Sequence, residues 1–234
     1  MMTGSTAGAP LKMIDGGSQS RSGIAALTSD KRPVHLLNCN LEEVDLSNLD
    51  MAGWRFEDCI LKRTNFTGAA LDDAMFVGCR GAFVDFTAAR LVEATVEKCD
   101  FNNGKFAGAA VTQARFVGCK LTGADFTRAR TNAILFKETT LSAAYLPGVS
   151  FHKAEIEDVD FSMADLARCD FREVSFSGSS LREANLVDAR FEGADLRGAD
   201  LGGIRLNDAR RFKGATISRD QAGAFLSEMG LKVL

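Results

Sequence analysis

A single number constrains this chain more than anything else in it: apolar side chains return every fifth residue. Counting from Leu36 in steps of five to Leu206 meets Leu, Phe, Met, Val or Ile at 33 of 35 positions. Only Gly81 and Thr131 break the rule, and neither shifts the frame. Two residues before each of these sits a second small or apolar residue, as in Cys39, Val44, Trp54, Ala69, Ala74 and Val84, and again near the end at Ala194 and Ala199. Between the two lies Asp, Asn or Arg very often, as at Asp45, Asn65, Asp85, Asp125, Asp165 and Asn185. A helix needs apolar spacing near 3.6 and a long flat strand needs strict alternation, so a period of five fits neither. Residues two apart on an extended backbone point the same way. The pair can therefore bury together, the residue between them stays in water, and the next two residues turn the chain.

The cysteines give the number of sides. Cys39, Cys59, Cys79, Cys99 and Cys119 are spaced by twenty, and Cys169 lies half a coil out of phase. Twenty is four fives, so a four-sided coil stacks the five in one column. An echo at forty residues agrees, since FTGAALDDAMFVGC from Phe66 matches FAGAAVTQARFVGC from Phe106. The repeat suffices for close to nine coils, and at about 4.8 Å per coil the rod is on the order of 40 Å long. Gly81 is expected to be locally irregular, with Phe83 turning inward to replace the missing side chain. Thr131 and Pro147 are the other weak points.

The repeat resembles that of the pentapeptide-repeat proteins, written A(D/N)LXX. The resemblance implies an all-β fold, a right-handed quadrilateral β-helix. The expected organisation is an N-terminal arm and lead-in over 1–33, a β-helix over 34–209, and a capping or dimerisation helix with its tail over 210–234. Residues 1–32 are rich in Gly, Ser, Thr and Ala without the period, and read as a mostly flexible arm with a helical stretch near Ile24 to Leu27. The open top of the first coil needs cover, from the arm or from a neighbouring molecule, because an unpaired β edge invites association.

At the other end the frame is lost from Arg210. Ser218 and Gln221 form a capping box. Ala222, Phe225, Leu226 and Met229 then make one apolar helical stripe, followed by Gly230 and the tail residues Leu231, Val233 and Leu234. Phe225, Leu226, Met229, Leu231 and Val233 are the expected dimer interface. The ending QAGAFLSEMGLKVL resembles the C-terminal helix of the Qnr-type, MfpA-type and albicidin-resistance members of the family. That resemblance implies a homodimer that binds DNA gyrase or topoisomerase IV as a mimic of duplex DNA and protects the enzyme from a poison. The unbroken frame, without the interrupting loops of the Qnr type, is closer to the MfpA type.

A DNA mimic needs negative charge along its length. The whole chain carries a net charge of −3, but residues 34–209 hold 27 acidic and 19 basic residues, a net of −8. The local concentrations are Glu57 and Asp58, Asp72 and Asp73, and Glu155, Glu157, Asp158 and Asp160, which form the candidate acidic partner-binding surface. The alternative is a protein-interaction scaffold with another partner, recognised through the N-terminal arm.

No direct nucleic-acid binding, cofactor, metal or catalytic residue is expected. His35 and His152 lie far apart, no CxxC or Cys/His cluster occurs, and no phosphate loop leads from a strand into a helix. No run approaches eighteen apolar residues and no leader pattern opens the chain, which points to a cytoplasmic protein rather than a secreted or membrane one. The cysteines read as reduced, small, buried apolar residues.

Overall fold

The computed structural model describes residues 12–203, 209–228 and 230–232. Between residues 34 and 203 each set of twenty residues makes one square turn, and turns stack through backbone hydrogen bonds. The side running through Phe56 is the strand side. Those through Leu61, Phe66 and Leu71 are the second, third and fourth.

On the strand side β1 (Lys12–Asp15) and β2 (Val34–Leu37) begin one parallel sheet. It continues through β3 (Arg55–Glu57), β4 (Met75–Val77), β5 (Thr95–Glu97), β6 (Arg115–Val117), β7 (Leu135–Lys137), β8 (Glu155–Glu157) and β9 (Ser175–Ser177), nine strands in chain order. Register is fixed by the core, with Phe56 opposite Phe76 and Phe76 opposite Val96. The other sides are held by single bridges twenty residues apart, such as Asn65 to Asp85 and Ala70 to Arg90, apart from a two-residue pairing of Ser179–Ser180 with Ala199–Asp200. The every-fifth residues and their partners two before them fill the interior, and Phe56, Phe66, Phe76, Phe86 and Phe106 are wholly buried. Rings stack directly from coil to coil, Phe66 on Phe86 at 5.0 Å and Phe106 on Phe126 at 4.6 Å.

The turning residue is the second after each inward Leu or Phe. Every fifth residue from Asn38 to Gly203, Gly198 excepted, has positive φ. Most are not glycine, and each such residue costs about 1–2 kcal/mol relative to a relaxed backbone. The conformation persists because the same residue's N–H is tied to the next coil, as Glu43 is to the Lys62 carbonyl at 2.9 Å. The residue between the apolar pair also does more than face water. Its carboxylate or amide oxygen accepts the N–H two residues on, as Asp45 does from Ser47 at 2.9 Å, Asn65 from Thr67 at 2.9 Å and Asp125 from Thr127 at 2.8 Å. This satisfies a donor the ladder leaves over, which explains why Asp and Asn recur there.

The cysteine column has a polar reason too. At three corners the N–H of the first residue of the pair closes a tight turn, as Val44 does to Leu41 at 3.0 Å. The corner after the strand side lacks that bond. There the Cys59 thiol donates to the Leu36 and Glu57 carbonyls, both at 3.3 Å, and the Cys79 N–H donates to the Cys99 sulfur at 3.4 Å. Thr139 and Ser179 take over the same role lower down, while Val159 between them and Ala199 after them fill the column without a side-chain donor.

Both ends are covered by the chain itself. From Lys12 on, the segment expected as a flexible arm is a strand and a helix. Strand β1 sets Ile14 against Leu36. Helix α1 (Arg21–Thr28), capped by Ser20, buries Ile24 completely. The Arg21 guanidinium donates to the Asp45 carbonyl at 2.8 Å and the Ser47 carbonyl at 3.2 Å, on the first coil. The helical stretch expected near Ile24 to Leu27 lies inside α1.

At the far end the repeat resumes one residue late. Phe212 stacks on Phe191 at 4.9 Å, 21 residues away, and ends a single-turn 3-10 helix (Ala209–Phe212). Helix α2 (Arg219–Glu228) follows. Its capping box is formed, with Gln221 Oε1 accepting the Ser218 N–H at 2.7 Å, and the same amide donates to the Leu196 and Ala199 carbonyls of the last coil. The final repeat units through Ile204 and Leu206 lie outside the described residues.

Of the two breaks in the apolar rule, Gly81 is sealed, but not as expected. Phe83 stays half-exposed, with the Arg63 guanidinium 5.6 Å over its ring. The Phe101 ring fills the space instead, so close that a Cβ at position 81 would lie 2.8 Å from it. At Thr131 the ladder opens. In the coil above, Val111 and Gln113 donate to the Arg130 and Asn132 carbonyls, and in the coil below Phe151 and Lys153 donate to Asp170 and Arg172. The N–H groups of Thr131 and Ala133 make no such bond to Ser150 and His152, nor does Arg128 to Pro147. Strand β7 pairs with β8 only at Lys137 and Glu157.

Candidate functional site

The flat sides present what a partner can read. Of the eight acidic residues expected as one surface, seven border the strand side. Glu57, Glu155 and Glu157 lie on it, Asp58 and Asp158 at the corner after it, and Asp72 and Asp73 at the corner before it, while Asp160 lies on the second side. Glu57 is spent within the strand side, held by Arg55 Nε at 2.7 Å and His35 Nε2 at 3.0 Å. The Arg55 hydrogen bond holds its carboxyl below the usual range. Asp72 pairs with Arg90 and accepts the Val92 N–H, Glu157 pairs with Lys137 at 2.7 Å, and Asp160 accepts the Ser162 N–H. Asp58, Asp73, Glu155 and Asp158 are exposed and make no ion pair among the described residues. Asp58 and Asp158 share one corner, five coils or about 24 Å apart. Asp73 sits on the corner between the fourth side and the strand side.

A more regular array runs down the third side, where the bridges place Asp45, Asn65, Asp85, Lys105, Asp125, Tyr145, Asp165 and Asn185 in one column. Its aspartates recur every second coil, about 10 Å apart. Asp45 is half-exposed and pairs with Arg21 at 3.3 Å, and the Ser47 N–H holds its carboxyl below the ordinary value. At Asp85 partial burial opposes ionisation, but Thr87 and Lys105 outweigh it and the carboxyl is again lowered. Asp165 accepts Asn185 Nδ2 at 2.9 Å. All four are anchored by the N–H two residues on, so the spacing of the charges is set by the backbone. The signal was present in the sequence, in the residues between each apolar pair counted in twenties rather than fives.

At the C-terminal end, Phe225 is half-buried and packs against the last coil, while Leu226 and Leu231 are exposed. Of the expected dimer residues, Met229 and Val233 lie outside the described residues. Helix α2 thus gives part of its apolar stripe to covering the coil and leaves part in solvent.

Neither histidine belongs to a reactive group: His35 faces Glu57, and His152 faces Glu173 at 3.3 Å. No cluster of three or more potential metal ligands occurs among the described residues. Burial pushes the Cys119 thiol up to about 11 and that of Cys169 up to about 12, so neither is a nucleophile near neutral pH. No helix among the described residues is long and apolar enough to cross a membrane.

Family models describe the same architecture. A pentapeptide repeat region matches residues 49–126, and pentapeptide repeats in eight copies match residues 135–172 and 174–210. No curated protein matches the chain. Two trypsin-treated variants of QnrB1, a plasmid-mediated fluoroquinolone resistance protein, are similar in structure with TM-scores of 0.72 and 0.70 at 23% identity. They cover 83% and 86% of this chain and 97% and 98% of their own. HetL, involved in heterocyst differentiation regulation in the cyanobacterium Nostoc sp., matches with a TM-score of 0.51 at 20% identity over 84% of this chain and 94% of its own. At such identities the likeness is one of fold. Repeat, coil and family models agree: the chain belongs to the pentapeptide-repeat proteins.

Proposed function

We propose that this protein is a DNA-mimicking rod that binds a type II topoisomerase, gyrase or topoisomerase IV, in the cytoplasm, and protects it from a poison. The observation that carries the reading is the third-side column, in which Asp45, Asp85, Asp125 and Asp165 hold carboxylates at an even spacing, the first two paired with Arg21 and Lys105 and the other two without an ion pair among the described residues. A fold shared with QnrB1, itself a fluoroquinolone resistance protein, supports it. Magnitude sets the terms of the mimicry. A net charge of −8 over residues 34–209 is about one charge per 5 Å of rod, against about one per 1.7 Å of duplex DNA. Such a rod competes for a DNA-binding saddle by shape and spacing more than by raw attraction. Dimerisation through Leu226, Leu231 and their neighbours would double its length along the saddle. The second reading, an interaction scaffold recognised through the N-terminal arm, is disfavoured from Lys12 on, because β1 and α1 are spent covering the first coil.

The test is gyrase supercoiling with and without a quinolone, using the native chain and the quadruple Asp45→Asn, Asp85→Asn, Asp125→Asn, Asp165→Asn variant. Asparagine keeps the turn-capping oxygen, as Asn65 does, so the fold is retained while four charges go. Micromolar native protein should inhibit supercoiling or relieve the drug, and the variant should be weaker by about tenfold or more. No inhibition, no rescue and no complex with the native protein would leave the scaffold reading. Light scattering of Leu226→Asp, expected monomeric, checks the dimer separately.

A further inference from the structure

The opening at Thr131 is a boundary between two differently packed stacks. Above it the rings run Phe56 on Phe76, Phe66 on Phe86, Phe106 on Phe126 and Phe116 on Phe136. Below it a new column starts on the fourth side, Phe151 on Phe171 on Phe191 on Phe212, each 4.9–5.1 Å from the next. Across the boundary the nearest rings, Phe136 and Phe151, are 6.3 Å apart and tilted by 51°. A crevice of about 580 Å³ enters there between residues 133–137 and 151–157 and reaches Phe161. The opposite edge stays shut, with Leu141 donating to Asp160 at 2.7 Å and Phe126 to Tyr145 at 2.8 Å. The two family-model matches also part here, between residues 126 and 135.

We propose that the rod is two stiff stacks hinged at this seam, bending about the closed edge of the second and third sides as the fourth side opens and shuts. The bonds that would form on closing are already aligned, since frame and corner geometry are continuous through residues 126–151. What holds them apart is local: Thr131 supplies too little apolar volume to bridge from Val111 to Phe151, and Phe151 is committed to the stack beneath. A straight-sided rod with one compliant joint can change curvature without unfolding either half. The inference rests on the ladder and the core alone, independent of which partner the rod binds.

Hydrogen exchange and distances between spin labels test it in the full chain. The Thr131 and Ala133 amides should exchange at least about a hundredfold faster than those of Val111 and Gln113 one coil above, and Thr131→Leu, or the milder Thr131→Val, should slow them. Labels placed through Arg90→Cys and Arg190→Cys, both exposed on the fourth side, should show a broad or two-peaked distance that narrows and shortens with Thr131→Leu. The six native thiols, all buried, stay unlabelled. Equal protection of the four amides, or one narrow distance unchanged by Thr131→Leu, would overturn the hinge and leave a closed or rigid seam.

Discussion

Gly81 and Thr131 are the two places where the apolar count fails, yet the coil is shut at one and open at the other. Below Gly81 the next residue of the column is Phe101, whose ring has no partner stacked on it. It leans up against Phe76 and Phe86 at 5.9 and 5.7 Å and fills the hole. Below Thr131 the next residue is Phe151, which lies flat on Phe171, with 3° between the rings, and is not free to rise. Gly81 keeps its ladder bond to Asp100 at 2.7 Å, whereas Thr131 has none to Ser150. A missing core side chain is therefore tolerated or not according to what the neighbouring coil can lend. Residue size alone does not decide it, since the smaller of the two residues leaves the tighter coil.

The largest expected effect separates the two stacks by their thiols. Cys59, Cys79 and Cys119 lie above the seam and Cys169 below it, and in each the thiol is raised in the folded state. An unfolded thiol ionises near 8.5, so stability from these groups is complete below that pH and is lost as pH rises towards the folded values, about 11 for Cys119 and about 12 for Cys169. Each buried thiol then costs up to about 1.4 kcal/mol per pH unit. Urea midpoints should be flat from about pH 6 to 8 and fall steeply above 9, with amides of the upper stack losing protection first. At the acid end the lowered carboxyls of Asp45, Asp170 and Asp195 act in the opposite sense. Their stabilisation is present above about pH 4 and lost as pH falls through the folded values.

Removing the rings comes next. Phe101→Ala takes away the group that seals Gly81 and should cost about 3–5 kcal/mol in urea unfolding. Phe151→Ala removes a ring already bordering a crevice and should cost less, about 2 kcal/mol. Equal losses would erase the distinction drawn between the two sites. Smaller still are changes at the breaks themselves. Gly81→Ala drives a Cβ to 2.8 Å from the Phe101 ring and should destabilise by about 1–3 kcal/mol, while Thr131→Val removes a hydroxyl from an apolar column and should stabilise by about 1 kcal/mol. The same sign at both positions would show that ring commitment is not what differs.

The sequence was most legible where a residue's role repeats. Thirty-three apolar side chains at a fixed step define side length and register, because a one-residue slip would turn buried Phe and Leu outward, and the cysteines recurring every twenty define the side number. The capping box at Ser218 was equally plain, its two hydrogen bonds being local. The acidic column on the third side was present but hidden, since it appears only when every fourth repeat is aligned. The acidic clusters that are neighbours in sequence gather around the strand side, but Glu57, Asp72 and Glu157 there are paired with Arg55, Arg90 and Lys137, pairings that adjacency in sequence does not show.

The period of five by itself determined that this chain coils, since no helix or flat sheet buries residues so spaced, and the cysteines recurring every twenty made the coil four-sided. Tertiary structure alone decided the rest. Residues 12–28 close the first coil although their composition suggests disorder, because an open β edge supplies the partners that composition cannot show. Phe101 rather than Phe83 fills the Gly81 gap, and the ladder parts at Thr131. These outcomes depend on which neighbouring ring is already stacked, a relation between residues twenty or more apart that no local pattern records.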